Sequence, residues 1–344
     1  MTICGRVPDR NFHGPPVWCG GRCAGGVILL SLQVLAAYLV DLAVGDPRWL
    51  PHPVVLIGGL IDRLENLLRR FFCRPAGLRA AGVLLAVAVV GGAWAATACL
   101  LFLAGLVHPL LAVLLQIWLI STTMATRSLA AAARSVREAL ATGELELARR
   151  RVGWIVGRDT AAMEAADVTR ATVETVAENI VDGFVSPLFY ALLGGAPLAM
   201  AYRAVNTLDS MVGYRNERYR DLGWFSARLD DAANFLPARW TALCLLAAAW
   251  LSGRRVKGAW RALRRDAPAH PSPNSGWPEA AVAGALGVRL GGLNYYGGRA
   301  QMRAFMGEPL YPLQPDHVRQ AVDLMYLSAA LAVLSGLGFC SLLR

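Results

Sequence analysis

Carboxylates, amides and arginines crowd into a few short stretches of this chain, and their spacing is the first pointer to chemistry. ETVAENIVDGFVSP (174–187) sets Glu174, Glu178 and Asp182 four residues apart. On a helix drawn from Asp159 to Asp182 at about 100° per residue, Glu164 and Asp167 join them in one arc of about 80°. Met163, Ala166, Val173, Val176, Ala177, Ile180 and Val181 fall outside that arc. Like charges at i, i+4 repel by a few tenths of a kcal/mol per pair. Arg170 alone, beside the stripe, cannot neutralise five carboxylates. A merely solvated face normally mixes signs, so the stripe calls for a cation: Mg²⁺, which favours carboxylate oxygen and bridges to phosphate, or arginine from another segment.

Three further stretches add donors and acceptors. NTLDSMVGYRNERY (206–219) puts Asn206 and Asp209 one turn apart, then Arg215, Asn216 and Arg218 beside Tyr214 and Tyr219. Guanidinium forks suit phosphate or carboxylate; the plain alternative is a juxtamembrane basic loop. LDDAANFLPAR (229–239) brings Asp230, Asp231 and Asn234 within a turn, followed by Arg239. That is metal-chelating spacing, although paired acids also open many helices. HPSPNSGWPEAA (270–281) sets Asn274, Ser275 and Gly276 ahead of Pro278-Glu279, a helix start whose N–H groups would receive an anion or simply be capped. His52 and His270 each precede proline, and His52, with Asp46 close in sequence, is the better candidate for proton transfer. No Walker A, GxGxxG, GxSxG or HExxH pattern occurs, so no standard nucleotide-binding fold is visible.

The elements that must hold these groups are largely membrane helices. Of 344 residues 56% are hydrophobic and 17% charged, with mean hydropathy +0.42, against about 25% charged in soluble domains. Spans need about 20 apolar residues. Residues 27–45 supply one; 82–126 supply two, broken at His108-Pro109; 184–202 is apolar but interrupted by Pro187, Gly194-Gly195 and Pro197; 240–251 is short; 324–343 supplies the last. The expectation is an all-α, polytopic membrane protein of about five spans with helical cytoplasmic segments. No stretch alternates at period two, so strands are not expected. Residues 1–26 read as a flexible extension and 27–344 as one membrane-embedded catalytic domain.

The net charge of +10 reflects arginines flanking the 82–126 hairpin, at 63–79 and at 127–151, which mark the cytoplasmic side. Nothing interleaves aromatic and basic residues as a nucleic-acid surface would. Cys99, Cys244 and Cys340 lie in apolar runs and read as small buried hydrophobes. Cys19 and Cys23 lack a properly spaced fourth ligand for a metal. Segment 184–202 decides the site's geometry. Were it to cross fully, the acidic helix and 203–239 would lie on opposite sides; a re-entrant or deeply kinked path keeps them together.

DLAVGDPRWLPHPVVLIG (41–58), VGRDT (156–160), ETVAENIVDGFVSPLFY (174–190), YRAVNTLDSMVGYRNERY (202–219), LDDAANFLPAR (229–239) and HPSPNSGWPEAAVAGALGVRLGG (270–292) together resemble the adenosylcobinamide-phosphate synthase family of cobalamin biosynthesis. The blocks run in the family's order from about 40 to 340. The resemblance implies a multi-pass inner-membrane enzyme that joins an aminopropanol, usually as its O-phosphate, to the propionate carboxyl of adenosylcobyric acid with ATP and Mg²⁺. Corrinoid and aminopropanol phosphate would be its substrates, lipid its surroundings, and other cobalamin-pathway enzymes its possible partners, with the active site facing the cytoplasm.

Within such a ligation, Glu174, Glu178, Asp182, Asp230, Asp231 and Asn234 would hold Mg²⁺. Arg158, Asn179, Asn206, Arg215, Asn216, Arg218, Arg239, Asn274 and Ser275 would bind phosphate and substrate. Asp209 or His52 would take the amine proton, with Glu178 also in the catalytic set. Two rivals are a Mg²⁺-dependent prenyl or alcohol-phosphate transferase, whose paired Asp-rich motifs are matched only by LDDAAN, and an ion-coupled transporter using intramembrane acids.

Overall fold

The computed structural model describes residues 24–45, 52–214 and 216–342. In chain order its helices are α1 (Ala24–Val44), α2 (Pro53–Phe71), α3 (Pro75–Val107), α4 (Pro109–Ser121), α5 (Thr126–Ala141), α6 (Leu145–Val152) and α7 (Ala165–Ile180). A π-helical turn, Val181–Val185, runs straight into α8 (Ser186–Val212). Then come α9 (Trp224–Ala233), α10 (Phe235–Leu251), α11 (Val256–Arg265), α12 (Gly276–Leu286), a hairpin of β1 (Arg289–Tyr296) and β2 (Arg299–Gly307), and α13 (Asp316–Leu342).

Among the described residues five segments are long and apolar enough to cross a bilayer: 26–44, 75–107, 109–141, 165–212 and 316–342; the α9–α10 pair, bent by 44°, has the length and apolarity of a sixth if taken together, as a broken span or a re-entrant loop. The protein is a multi-pass membrane protein of mainly helical fold. Leu32, Leu39, Val87, Phe102 and Leu114 stand outward from α1, α3 and α4, as a lipid-facing surface requires. The 82–126 stretch breaks at His108, which is extended (φ −162°) and caps α4 by accepting from the Leu110 N–H at 3.1 Å. Pro109 has no N–H to leave unpaired at that first turn. Cys244 is buried as expected, but Cys99 is exposed on α3 and Cys340 is half-buried, because a lipid-facing position accepts cysteine as readily as a core does.

The 184–202 segment turns back on itself. Gly194 (φ −157°, ψ 27°) and Gly195 (φ 65°, ψ −156°) break α8. The Arg203 Nη1 donates to the Asp182 carbonyl at 3.3 Å, and the rings of Tyr190 and Tyr202 stack at 5.2 Å. A straight helix would hold Asp182 and Arg203 about 30 Å apart. The segment is therefore a re-entrant helical hairpin. Gly195 occupies left-handed backbone, and a Cβ there would meet the Gln116 amide at 3.3 Å. Gln116 in turn donates to Gln33 at 2.5 Å. This buried amide pair, from the middle of α1 and from α4, sits where the tip's irregular backbone would otherwise face hydrocarbon.

Two expectations are corrected. The acidic helix begins at Ala165, not at Asp159: Glu164 and Asp167 form a capping box at its start, which is the reason for their spacing. Asp159 instead accepts from the Gly297 and Gly298 N–H groups at 3.1 and 2.7 Å. Strands do occur, as the antiparallel pair Arg289↔Gly307 to Tyr296↔Arg299 with an irregularity between Leu290 and Gly292. Gly297-Gly298, both at positive φ, is a two-residue hairpin turn; the irregularity interrupts the alternation that would have announced the strands.

Candidate functional site

Helix α7 is buried from Val168 to Ala177 on every side, so its carboxylates are not a solvated face. Glu174 is 3% exposed. It accepts from Arg158 and from the Gly291 N–H (2.7 Å), with Arg170 at 3.8 Å. Arg158 also donates to Asn294, and Arg170 to the carbonyls of Gly291 and Leu293. Arg158 and Glu174 thus neutralise each other and stitch α7 to β1. Breaking such a buried pair from one side costs about 3–5 kcal/mol.

The remaining acids converge one turn further on. Asp182 lies within electrostatic reach of Asp230, Glu178 and Asp209, and Asp209 within reach of Asp231 and Glu178. The re-entrant hairpin is what brings α7, α8 and α9 to this point, placing Asp182 and Asp209 inside the 165–212 segment. Asp230 is held by Asn234 (3.0 Å), with Asn206 nearby, and Asn234 is held in turn by the hydroxyls of Ser186 (2.5 Å) and Tyr202 (2.9 Å). Asn234 therefore presents its amide N–H to Asp230 while its oxygen is taken. Asn206 also faces Arg203 at 3.3 Å. Asn179 points back to the Thr175 carbonyl at 2.9 Å.

The 270–276 loop closes one wall. Ser275 donates to Glu178 at 3.2 Å, and Asn274 to the Asp231 carbonyl at 2.7 Å. Arg239 clamps Asn274 (2.7 Å) and the Pro273 carbonyl (3.1 Å) and stacks on Phe235 and Trp277. The N–H groups of Asn274 and Ser275, expected to be open to an anion, donate to the Ser272 hydroxyl; local capping meets the need at least cost.

Other expected residues lie elsewhere. His52 caps α2, its Nδ1 accepting from the Val54 N–H at 3.3 Å. Arg218 pairs with Glu65 of α2 at 3.1 Å and stacks on Tyr219, and Asn216 accepts from the Tyr219 N–H. Arg215 and Asp46 lie outside the described residues.

A family described as CobD/Cbib protein matches residues 34–325. The chain belongs to the CobD/CbiB family. It is 52% identical over 305 residues to cobalamin biosynthesis protein CobD of Geobacter metallireducens, covering 88% of this chain and 94% of that one. It is 48% identical to CobD of Klebsiella pneumoniae over 300 residues (86% and 93%) and 47% identical to cobalamin biosynthesis protein CbiB of Salmonella choleraesuis over 308 residues (89% and 96%). No solved structure matches. The matched region contains every residue of the acid cluster.

In this CobD/CbiB chain, several site residues went unnamed among the sequence candidates. Arg203 is a cation beside Asp182, marked only as an arginine inside an apolar run. Ser186 and Tyr202 orient Asn234 from the two arms of the hairpin, which no linear spacing reveals. Gly213 permits the approach of Asp209: a Cβ there would lie 2.0 Å from the Asp209 carboxylate. Behind the loop, Glu279 is 2% exposed and faces His270 at 3.8 Å. Burial, with Glu174 and Glu178 nearby, holds the Glu279 carboxyl well above its usual range, and burial lowers His270.

Among the described residues no three His, Cys, Asp or Glu side chains form a ready metal cage. The donors nevertheless fit Mg²⁺ of the kind held by one or two carboxylates, with water and substrate phosphate completing the shell. They are hard carboxylate oxygens in excess of cationic charge, and Asp230 Oδ1 is buried with no hydrogen-bond partner.

Proposed function

We propose that the protein is the ATP-dependent amide ligase of cobalamin biosynthesis that joins (R)-1-amino-2-propanol O-2-phosphate, or aminopropanol itself, to the propionate carboxyl of adenosylcobyric acid, giving adenosylcobinamide phosphate. Membership of the CobD/CbiB family supports cobalamin biosynthesis and a corrinoid substrate. The observation that carries the chemistry is the re-entrant hairpin gathering Glu178, Asp182, Asp209, Asp230 and Asp231 beside Arg203. The transferase and transporter rivals draw no support from that family.

Carboxyl activation transfers the γ-phosphoryl group of ATP to a carboxylate oxygen with departure of ADP. The neutral amine then attacks the acyl carbon, the C–N bond forms, and phosphate leaves. In this reading one or two of the carboxylates of Glu178, Asp182 and Asp230 would hold Mg²⁺, which would supply neutralisation of phosphoryl charge. Asn234 aims Asp230, and Asn206 with Arg203 faces the phosphoryl oxygens. Asp209 takes the proton the nitrogen loses. Arg158 and Arg239 act as clasps that hold the walls, not as phosphate ligands. The arginine-rich flanks at 63–79 and 127–151 support a cytoplasmic site in the inner membrane, formed within a single unit from 27 to 344.

The test is product mass after incubating purified protein in detergent with adenosylcobyric acid, aminopropanol phosphate, Mg²⁺ and ATP. Wild type should form the amide. Glu178→Gln and Asp209→Asn should each lose about 10²-fold or more, and Asp230→Asn should need more Mg²⁺ for half-maximal rate. No product from wild type would sink the ligase reading; normal turnover in all three variants would sink the site alone.

A further inference from the structure

Helix α2 carries three sectors where a helix between core and water needs two. Ile57, Ile61 and Glu65 are buried. Asp62, Arg63, Asn66 and Arg70 are exposed and share an arc of about 100°. Between these sectors Leu56, Leu60, Leu67 and Phe71 share an arc of about 60°, yet are 69%, 39%, 47% and 74% exposed.

The placement of α2 says what covers that stripe. The helix packs on α3 and on the far end of α8 with the loop beyond it: Gly58 meets Met211 at 3.5 Å, Glu65 pairs with Arg218, and Arg69 donates to the Arg218 carbonyl at 2.8 Å. Three residues separate it from α3, a span whose Leu84 and Val87 also face outward, so the stripe continues a lipid-facing surface. Its five charged residues, Asp62, Arg63, Glu65, Arg69 and Arg70, bar it from spanning. Arg70, Arg74 and Arg79 are exposed at this end, as suits a headgroup region rich in anionic lipid.

We propose that α2 lies in the plane of the membrane surface, with Leu56, Leu60, Leu67 and Phe71 among the lipid acyl chains and Arg63, Asn66 and Arg70 in the aqueous headgroup layer. The helix is a lateral float that fixes the depth of the α8 end and of the loop carrying Arg218. This does not depend on the ligation chemistry. An amphipathic helix with a charged face settles 5–10 Å deep at the acyl boundary by just this partition.

The test uses the full chain with its seven cysteines replaced by serine, single nitroxide labels at Leu60→Cys, Leu67→Cys, Arg63→Cys and Asn66→Cys, and vesicles of phosphatidylglycerol and phosphatidylethanolamine. Collision with oxygen should exceed collision with aqueous nickel chelate several-fold at 60 and 67, and the order should reverse at 63 and 66. Nickel access at 60 and 67 would put the stripe in water; loss of both collisions there would put a second copy or another protein over it; either overturns the proposal. Leu56→Cys and Phe71→Cys report on the same stripe should a label at 60 or 67 disturb folding.

Discussion

The Arg203 guanidinium donates to the backbone carbonyl of Asp182 across twenty-one positions of sequence. That one bond records a chain that enters the apolar layer, turns at Gly194-Gly195 and comes back to where it started. The acids of α7 and α8 consequently share one end of the molecule, and a site can form between them.

The turn itself is open to test. Gly195→Ala would put a Cβ on backbone at φ 65° and 3.3 Å from Gln116. The expected cost is about 1–3 kcal/mol, read as a lowered unfolding temperature in detergent. Gly92→Ala in α3 meets no atom within 4 Å and should leave that temperature unchanged or raise it slightly. Equal behaviour of the two variants would mean that the tip tolerates a side chain.

Gly213 makes a different point, because its lack of a side chain serves the neighbouring carboxylate. Gly213→Ala would set a Cβ 2.0 Å from Asp209 Oδ1 and displace it. Ligation by Gly213→Ala should fall toward that of Asp209→Asn while the protein keeps its helical circular dichroism. Full activity in Gly213→Ala would show that the position of Asp209 is immaterial.

Arg158 and Glu174 should behave as a coupled pair. Glu174→Gln leaves Arg158 buried without its counter-charge, an expected loss of about 3–5 kcal/mol; Arg158→Met should cost less, because Glu174 keeps Arg170 at 3.8 Å and the Gly291 N–H. The double variant should lose clearly less than the sum of the singles in a double-mutant cycle. Additive losses would mean that the two do not stabilise one another.

The pH dependence of stability has a sign set by Glu279 and His270. The folded protein favours protonated Glu279, so its contribution is intact below the ordinary glutamate value of 4.5 and is lost as pH rises from there through the raised native value. The folded protein favours neutral His270, so that contribution is intact above 6.5 and is lost as pH falls through the lowered native value. Glu279→Gln should flatten the decline in unfolding temperature above pH 4.5. An unchanged slope would show that Glu279 ionises freely in the fold.

Much of this was legible in linear sequence because it depends on neighbours along the chain. The His108-Pro109 break, the apolar spans and the special character of Gly194-Gly195 follow from hydropathy and backbone chemistry. Glu178 and Asp209 were singled out by the oddity of acids in an oily chain. Spacing could not say which acid already owned a cation. Glu174 and Glu178 are one turn apart on one stripe, yet Glu174 is closed by Arg158 while Glu178 meets a serine. Arg158, Arg239 and His52 looked free in sequence because their partners lie far away or in the backbone.

Hydrophobic run length and the positions of proline and glycine determined by themselves that this chain enters the membrane several times and that one entry is interrupted, since burial in lipid and φ preference act residue by residue. The direction taken after Gly195, and with it the meeting of α7, α8 and α9, belonged to tertiary structure alone. A left-handed glycine permits a reversal but does not choose one; the choice rests on contacts such as Gln33 with Gln116 and Ser186 with Asn234, which exist only once distant segments have packed.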